Sequence, residues 1–118
     1  MLVTFQMISE NVNIDFKVFG KKVDNTLIFP DKSVPNTIMH VTILDDGVEV
    51  LRTGSVEMKQ IFKFNQKIDG YYKNNMGLAF EIASFATEIE ITENSILIFY
   101  EHYLENNWQS SNKLKILF

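Results

Sequence analysis

The sequence predicts an all-β protein, an antiparallel up-and-down β-barrel of about eight to nine strands. Three observations carry this. Hydrophobicity alternates every second residue nearly everywhere, and no segment repeats at a helical period. Glycine, proline and Asn/Asp clusters fall at hairpin spacing, with no strand–helix–strand spacing between them. Of the 118 residues 46% are hydrophobic and 10 are Phe, which is enough for one domain over residues 1–118 with its own core. Closing so Ile- and Phe-rich a sheet into a barrel would also remove its sticky edges.

Taken in order, Leu2 to Ser9 alternates Val3, Phe5 and Met7 against Thr4 and Gln6. Val12, Ile14, Phe16 and Val18 alternate with polar residues and stop at Gly20. Asp24-Asn25 signals a turn, and Thr26 to Phe29 is a short strand ended by Pro30-Asp31. Thr37 to Leu44 follows, and Asp45-Asp46-Gly47 turns it back. Val48 to Phe64 carries the most regular face of the chain, with Val48, Val50, Arg52, Gly54, Val56, Met58, Gln60, Phe62 and Phe64 on one side. As one strand it would extend roughly 55 Å, so it must bend, bulge or turn, and Gly54 is the natural place. Arg52 and Gln60 share a face only if that break preserves parity.

Asn65 to Gly70 and Lys73 to Gly77 are rich in turn residues. Leu78 to Ile82 and Thr87 to Thr92 read as two further strands. Ser95 to Leu104 is apolar on both faces and so reads as central. Glu105 to Asn112 reads as a loop holding the single Trp, Trp108, and Lys113 to Phe118 closes the chain with Leu114, Ile116 and Phe118 inward.

Composition excludes several functions. With 0 Cys there is no disulfide framework, thiolate nucleophile or Cys-based metal site. The N-terminus enters a β-pattern directly, so no signal peptide is expected, and no apolar run reaches the ~20 residues of a membrane helix. A net charge of −4 argues against a nucleic-acid partner, which would want a basic face. The expectation is a cytoplasmic protein with neither a membrane nor a nucleic-acid partner.

The run Arg52-Thr53-Gly54-Ser55-Val56-Glu57-Met58-Lys59-Gln60-Ile61-Phe62 resembles the bacterial YwiB-like family of small proteins labelled as a domain of unknown function. That family pattern has an Arg, a Gly two residues later, then apolar positions at every second residue. Ile14-Asp15-Phe16 with Gly20, Tyr72 to Gly77 and Asn94 to Tyr100 resemble further family segments in the same order. Departures are a short Gly20 to Pro30 region, Pro30-Asp31 where aromatic and acidic residues are usual, Met76 at an aromatic position and Asn94 at a Gly. The resemblance implies a calycin-like (lipocalin-like) barrel and no transferable activity. It also implies that Ile96, Ile98, Tyr100, His102 and Leu104 face inward.

A guanidinium on an apolar face must find acceptors. One reading is a barrel pocket lined by Arg52, Met58, Gln60, Phe62, Tyr100 and His102. A small hydrophobic or amphipathic acid would lay its tail on Val56, Met58, Phe62, Ile96 and Ile98 and its carboxylate on Arg52. On that reading Arg52→Met lowers affinity far more than stability. The alternative is a filled barrel in which Arg52 bonds a carboxylate such as Glu101 or Asp15, and which acts as an interaction or regulatory module. A protein partner would then meet an exposed edge or the Trp108 loop. Neither reading needs a cofactor. His40 and His102 lie on distant segments, which is poor metal spacing. Glu101 and His102 are adjacent in a strand and point to opposite faces, so they form no catalytic pair unless a bulge intervenes. No nucleophile elbow or phosphate loop is present, and the expectation is not an enzyme.

Overall fold

The computed structural model describes all residues 1–118. Its strands are β1 (Leu2–Ile8), β2 (Asn13–Phe19), β3 (Lys21–Val23), β4 (Thr26–Pro30), β5 (Thr37–Ile43), β6 (Gly47–Gly54), β7 (Val56–Lys63), β8 (Lys67–Asn74), β9 (Ala79–Ile91), β10 (Ser95–Leu104) and β11 (Asn107–Leu117). They form one antiparallel sheet in the order β2-β1-β11-β10-β9-β8-β7-β6-β5-β4-β3. The two end strands of that order, β2 and β3, are consecutive in the chain and meet at Gly20. The sheet therefore curls until a single bent stretch of chain serves both ends, giving a nearly closed barrel. A Cβ on Gly20 would lie 2.7 Å from the Ile28 carbonyl oxygen and 2.9 Å from Phe29 Cβ, so the bend accepts no side chain without a backbone shift.

The barrel has eleven strands rather than eight or nine. The extra ones lie where turn residues hid a ladder. Lys67 to Asn74 is not a turn-rich connection but the strand β8, which pairs along Lys73 to Lys67 with Ala79 to Phe85 of β9. Leu78 to Ile82 and Thr87 to Thr92 merge into β9, and Lys21–Val23 adds the short β3. The Trp108 loop is also corrected. Only Glu105 and Asn106 turn, both with positive φ (48° and 66°), and Trp108 pairs with Tyr103 inside β11. This two-residue turn fits the twist of a hairpin, and Asn suits the left-handed region.

Gly54 answers the parity question. It ends β6 with φ +122°, and the chain reverses at Ser55. Across the hairpin Arg52 faces Met58, Val50 faces Gln60 and Val48 faces Phe62, so the alternating set stays on one face as far as Phe62; Phe64 lies past the end of β7 and is 63% exposed. Glycine is required there twice over. The φ is left-handed, and a Cβ would sit 2.0 Å from the Asn36 carbonyl oxygen.

One end of the barrel is filled. Val3, Phe5, Phe29, Met39, Val48, Phe62, Ile96, Ile98 and Ile116 are fully buried there. Phe5 stacks on Phe16 with ring centroids 5.1 Å apart. These are the inward residues of the period-two pattern, and their burial is the main driving force for the fold.

Candidate functional site

The other end is hollow. A cavity of about 300 Å³ lies between β1, β2, β6, β7, β8, β10, β11 and the strap 31–36 that joins β4 to β5. Met7, Val12, Ile14, Val34, Val56 and Met58 supply apolar wall; Arg52, Gln60, Tyr100, His102 and Asn112 supply polar groups.

Arg52 is only 7% exposed, and its partner is Asp31, 4% exposed. Its Nε donates to Asp31 Oδ2 at 3.1 Å, and its Nη1 lies 3.3 Å from Met58 Sδ. Asp31 Oδ1 accepts from the Ser33 backbone N–H at 2.9 Å and from the Ser33 hydroxyl. This Asx-type turn, which closes a loop locally through a side chain, shapes the strap. Asp31 N donates to Thr37 O at 2.9 Å, and Ser55 N donates to Asn36 O at 3.1 Å. The strap is thus stitched to the β6–β7 turn, and Ser33 and Val34 come to line the cavity mouth.

Opposite Arg52 lies β10. Burial pushes the Tyr100 hydroxyl above its ordinary value of 10, opposed in part by the Asn112 and Gln60 side chains and by the Arg52 charge, so it stays protonated at neutral pH. Its hydroxyl lies 3.5 Å from Met7 Sδ. Burial pulls His102 below 6.5, so the ring is neutral at pH 7. His102 Nδ1 and Asn112 Oδ1 are both buried without a hydrogen-bond partner. Buried polar atoms are nearly always satisfied, and each exception calls for an explanation. The Arg52–Asp31 pair cancels its own charge, so the cavity is close to neutral.

Five of the six residues singled out from sequence, Arg52, Met58, Gln60, Tyr100 and His102, converge on this cavity. Phe62 does not line it. It lies fully buried in the core, its ring 4.6 Å from that of Tyr100. Ile96 and Ile98 are likewise core rather than wall. The carboxylate that meets Arg52 is Asp31, not Glu101 or Asp15. Glu101 Oε2 is buried and unpartnered elsewhere, and Asp15 is exposed on β2. Trp108 is 52% exposed and away from the cavity. No group of three or more His, Cys, Asp or Glu is arranged to hold a metal ion.

Sequence reasoning missed Asp31 and Asn112. Asp31 looked like a turn residue after Pro30, and nothing local says that the strap folds inward. Asn112 was legible: stepping back by twos from Ile116 and Leu114 reaches Asn112 and Ser110, which face Tyr100 and His102 across the ladder.

These features define a small all-β barrel filled at one end and hollow at the other. A family model described as "Domain of unknown function (DUF1934)" matches residues 4–116, and the chain belongs to that family. Among solved structures it is similar to the ywiB protein from Bacillus subtilis, at 15% identity and a TM-score of 0.62, over 98% of this chain and 87% of that one. At that identity the likeness is one of fold. A search of curated proteins finds no match. No helix of the chain is long and apolar enough to cross a membrane.

Proposed function

We propose that this protein is a binding protein rather than an enzyme, and that its hollow end takes one small amphipathic molecule. The observation that carries the reading is the cavity itself, about 300 Å³ with apolar walls, onto which the Arg52, Gln60, Tyr100, His102 and Asn112 side chains converge. That volume lies at the lower end of the range for ligand sites. The apolar part of the ligand would lie on Met7, Val12, Ile14, Val34, Val56 and Met58. Its head would accept from the free N–H groups of Arg52 and engage Asn112 and His102.

The acid expected from sequence is one member of this class. Asp31 already neutralises Arg52, so a free carboxylate would bring an unbalanced charge into a low-dielectric site. A protonated acid or a neutral amide costs less. The lack of cysteine fits a reducing cytoplasm as the place of action. The other reading, an interaction module without a small-molecule ligand, draws on a different feature, the unpaired edge of β2.

The test is isothermal titration with octanoic acid and octanamide at pH 5 and pH 7, on the wild type and on Val34→Trp, which fills the cavity mouth. Expected is saturable binding of the amide at both pH values, of the acid better at pH 5, and loss of both in Val34→Trp. Equal heats with and without the filled mouth would refute the site, and no binding of either compound would refute the ligand class.

A further inference from the structure

We propose that the free edge of β2 is a self-pairing interface through which two copies of this chain join their sheets. β2 ends the sheet order and pairs only with β1. At one end of that ladder Gly20 N donates to Met1 O and the Met1 ammonium donates to Gly20 O; at the other Ser9 N donates to Val12 O. Hydrogen-bonded and non-hydrogen-bonded pairs alternate in an antiparallel ladder. Val12, Ile14, Phe16 and Val18 therefore turn their backbone groups toward β1, and Asn13, Asp15, Lys17 and Phe19 turn theirs outward. Across the seam β4 ends at Pro30, which has no N–H to offer, and the chain then folds inward at Asp31. None of the backbone hydrogen bonds outside the strand ladders reaches Asn13, Asp15 or Lys17.

This edge is complementary to itself. With a twofold axis at Phe16, Asp15 of one copy faces Lys17 of the other, and the contact occurs twice. Asn13 then faces Phe19. All four positions present outward backbone groups, so they meet as hydrogen-bonded pairs. Moving the axis by one residue along the strand would set Asp15 against Asp15, or Lys17 against Lys17. Opposite charges across a strand pair stabilise and like charges destabilise, so the charges select the register at Phe16. Within the chain Asp15 faces Gln6 and Lys17 faces Thr4, both neutral, so neither charge has a partner across its own ladder. Phe19 is 80% exposed on this same edge. An open edge carrying a bare aromatic is an aggregation hazard, and a closed twofold pair removes it.

Sedimentation velocity over a dilution series, on the wild type, Asp15→Lys, Lys17→Asp and the double charge swap, tests this. Both positions are exposed, and circular dichroism melts check that each variant folds. Expected is a concentration-dependent dimer, weakened roughly tenfold by either single swap, which makes two repulsive pairs, and restored by the double swap. A wild type that stays monomeric at every concentration overturns the proposal, as it would if the edge takes a foreign strand instead. So does a dimer that both single swaps leave unchanged, or one that the double swap fails to restore.

Discussion

Replacing Asp31 by alanine removes the acceptor that holds Arg52. The Asp31 side chain is fully buried and that of Arg52 is 9% exposed, so without Asp31 the guanidinium keeps its charge with the Met58 sulfur as its one remaining side-chain partner. Removing one partner of a buried pair costs about 3–5 kcal/mol, and access to water places this case near the lower figure, roughly 3 kcal/mol. The strap also loses the acceptor of both Ser33 bonds. Unfolding entropy for a chain of this length is about 0.25 kcal/mol/K, so the melting temperature should fall by roughly 12 °C. Arg52→Met should cost at least as much, because Asp31 would then be the stranded charge in the drier position. This reverses the expectation from sequence that Arg52 matters more for binding than for stability. The double variant removes both charges and should recover to within about 1–2 kcal/mol of wild type. Urea melts on the four proteins give the cycle. If Asp31→Ala costs less than about 1 kcal/mol, or if the two single costs simply add in the double variant, the two side chains are not the coupled buried pair described above.

Other expectations follow from the same geometry. Phe62→Ala should cost about 3–5 kcal/mol and join the core to the cavity, measured by urea melts and by binding of longer-chain amides that the wild type rejects. Gly54→Ala should cost more than about 1 kcal/mol in the same melts, since its φ and the Asn36 carbonyl both oppose a Cβ. His102 is held below its ordinary value in the folded state. As pH drops under about 6.5 the unfolded chain takes up a proton that the folded chain refuses, so stability falls with falling pH until the folded value is reached. His102→Gln should flatten that slope between about pH 7 and pH 5, and an unchanged slope would show that His102 is not its source. Tyr100 works at the other end of the scale. Its raised value contributes stability that is present below pH 10 and lost as pH rises through the folded value.

The sequence by itself determined the parity of β1, β2, β6, β7 and the end of β11. Side chains in a strand point alternately to either face, so the pattern Val48, Val50, Arg52 on one side and Met58, Gln60, Phe62 on the other needed only a turn that preserves the alternation, and Gly54 supplies it. That parity brought Arg52, Met58 and Gln60 to one interior, and the family resemblance implied that Tyr100 and His102 join them there. It could not say which inward residues meet solvent-filled space and which meet each other, because that depends on height along the barrel. Phe62, Ile96 and Ile98 share the parity of the site and lie in the packed end. Nor could it place Asp31. A strap of turn residues has no period, and its inward fold is held by contacts with Thr37, Ser55 and Arg52 on other strands. Where the barrel is hollow, and whether its arginine enters that hollow as a free charge or as half of a neutral pair, were decided by tertiary structure alone.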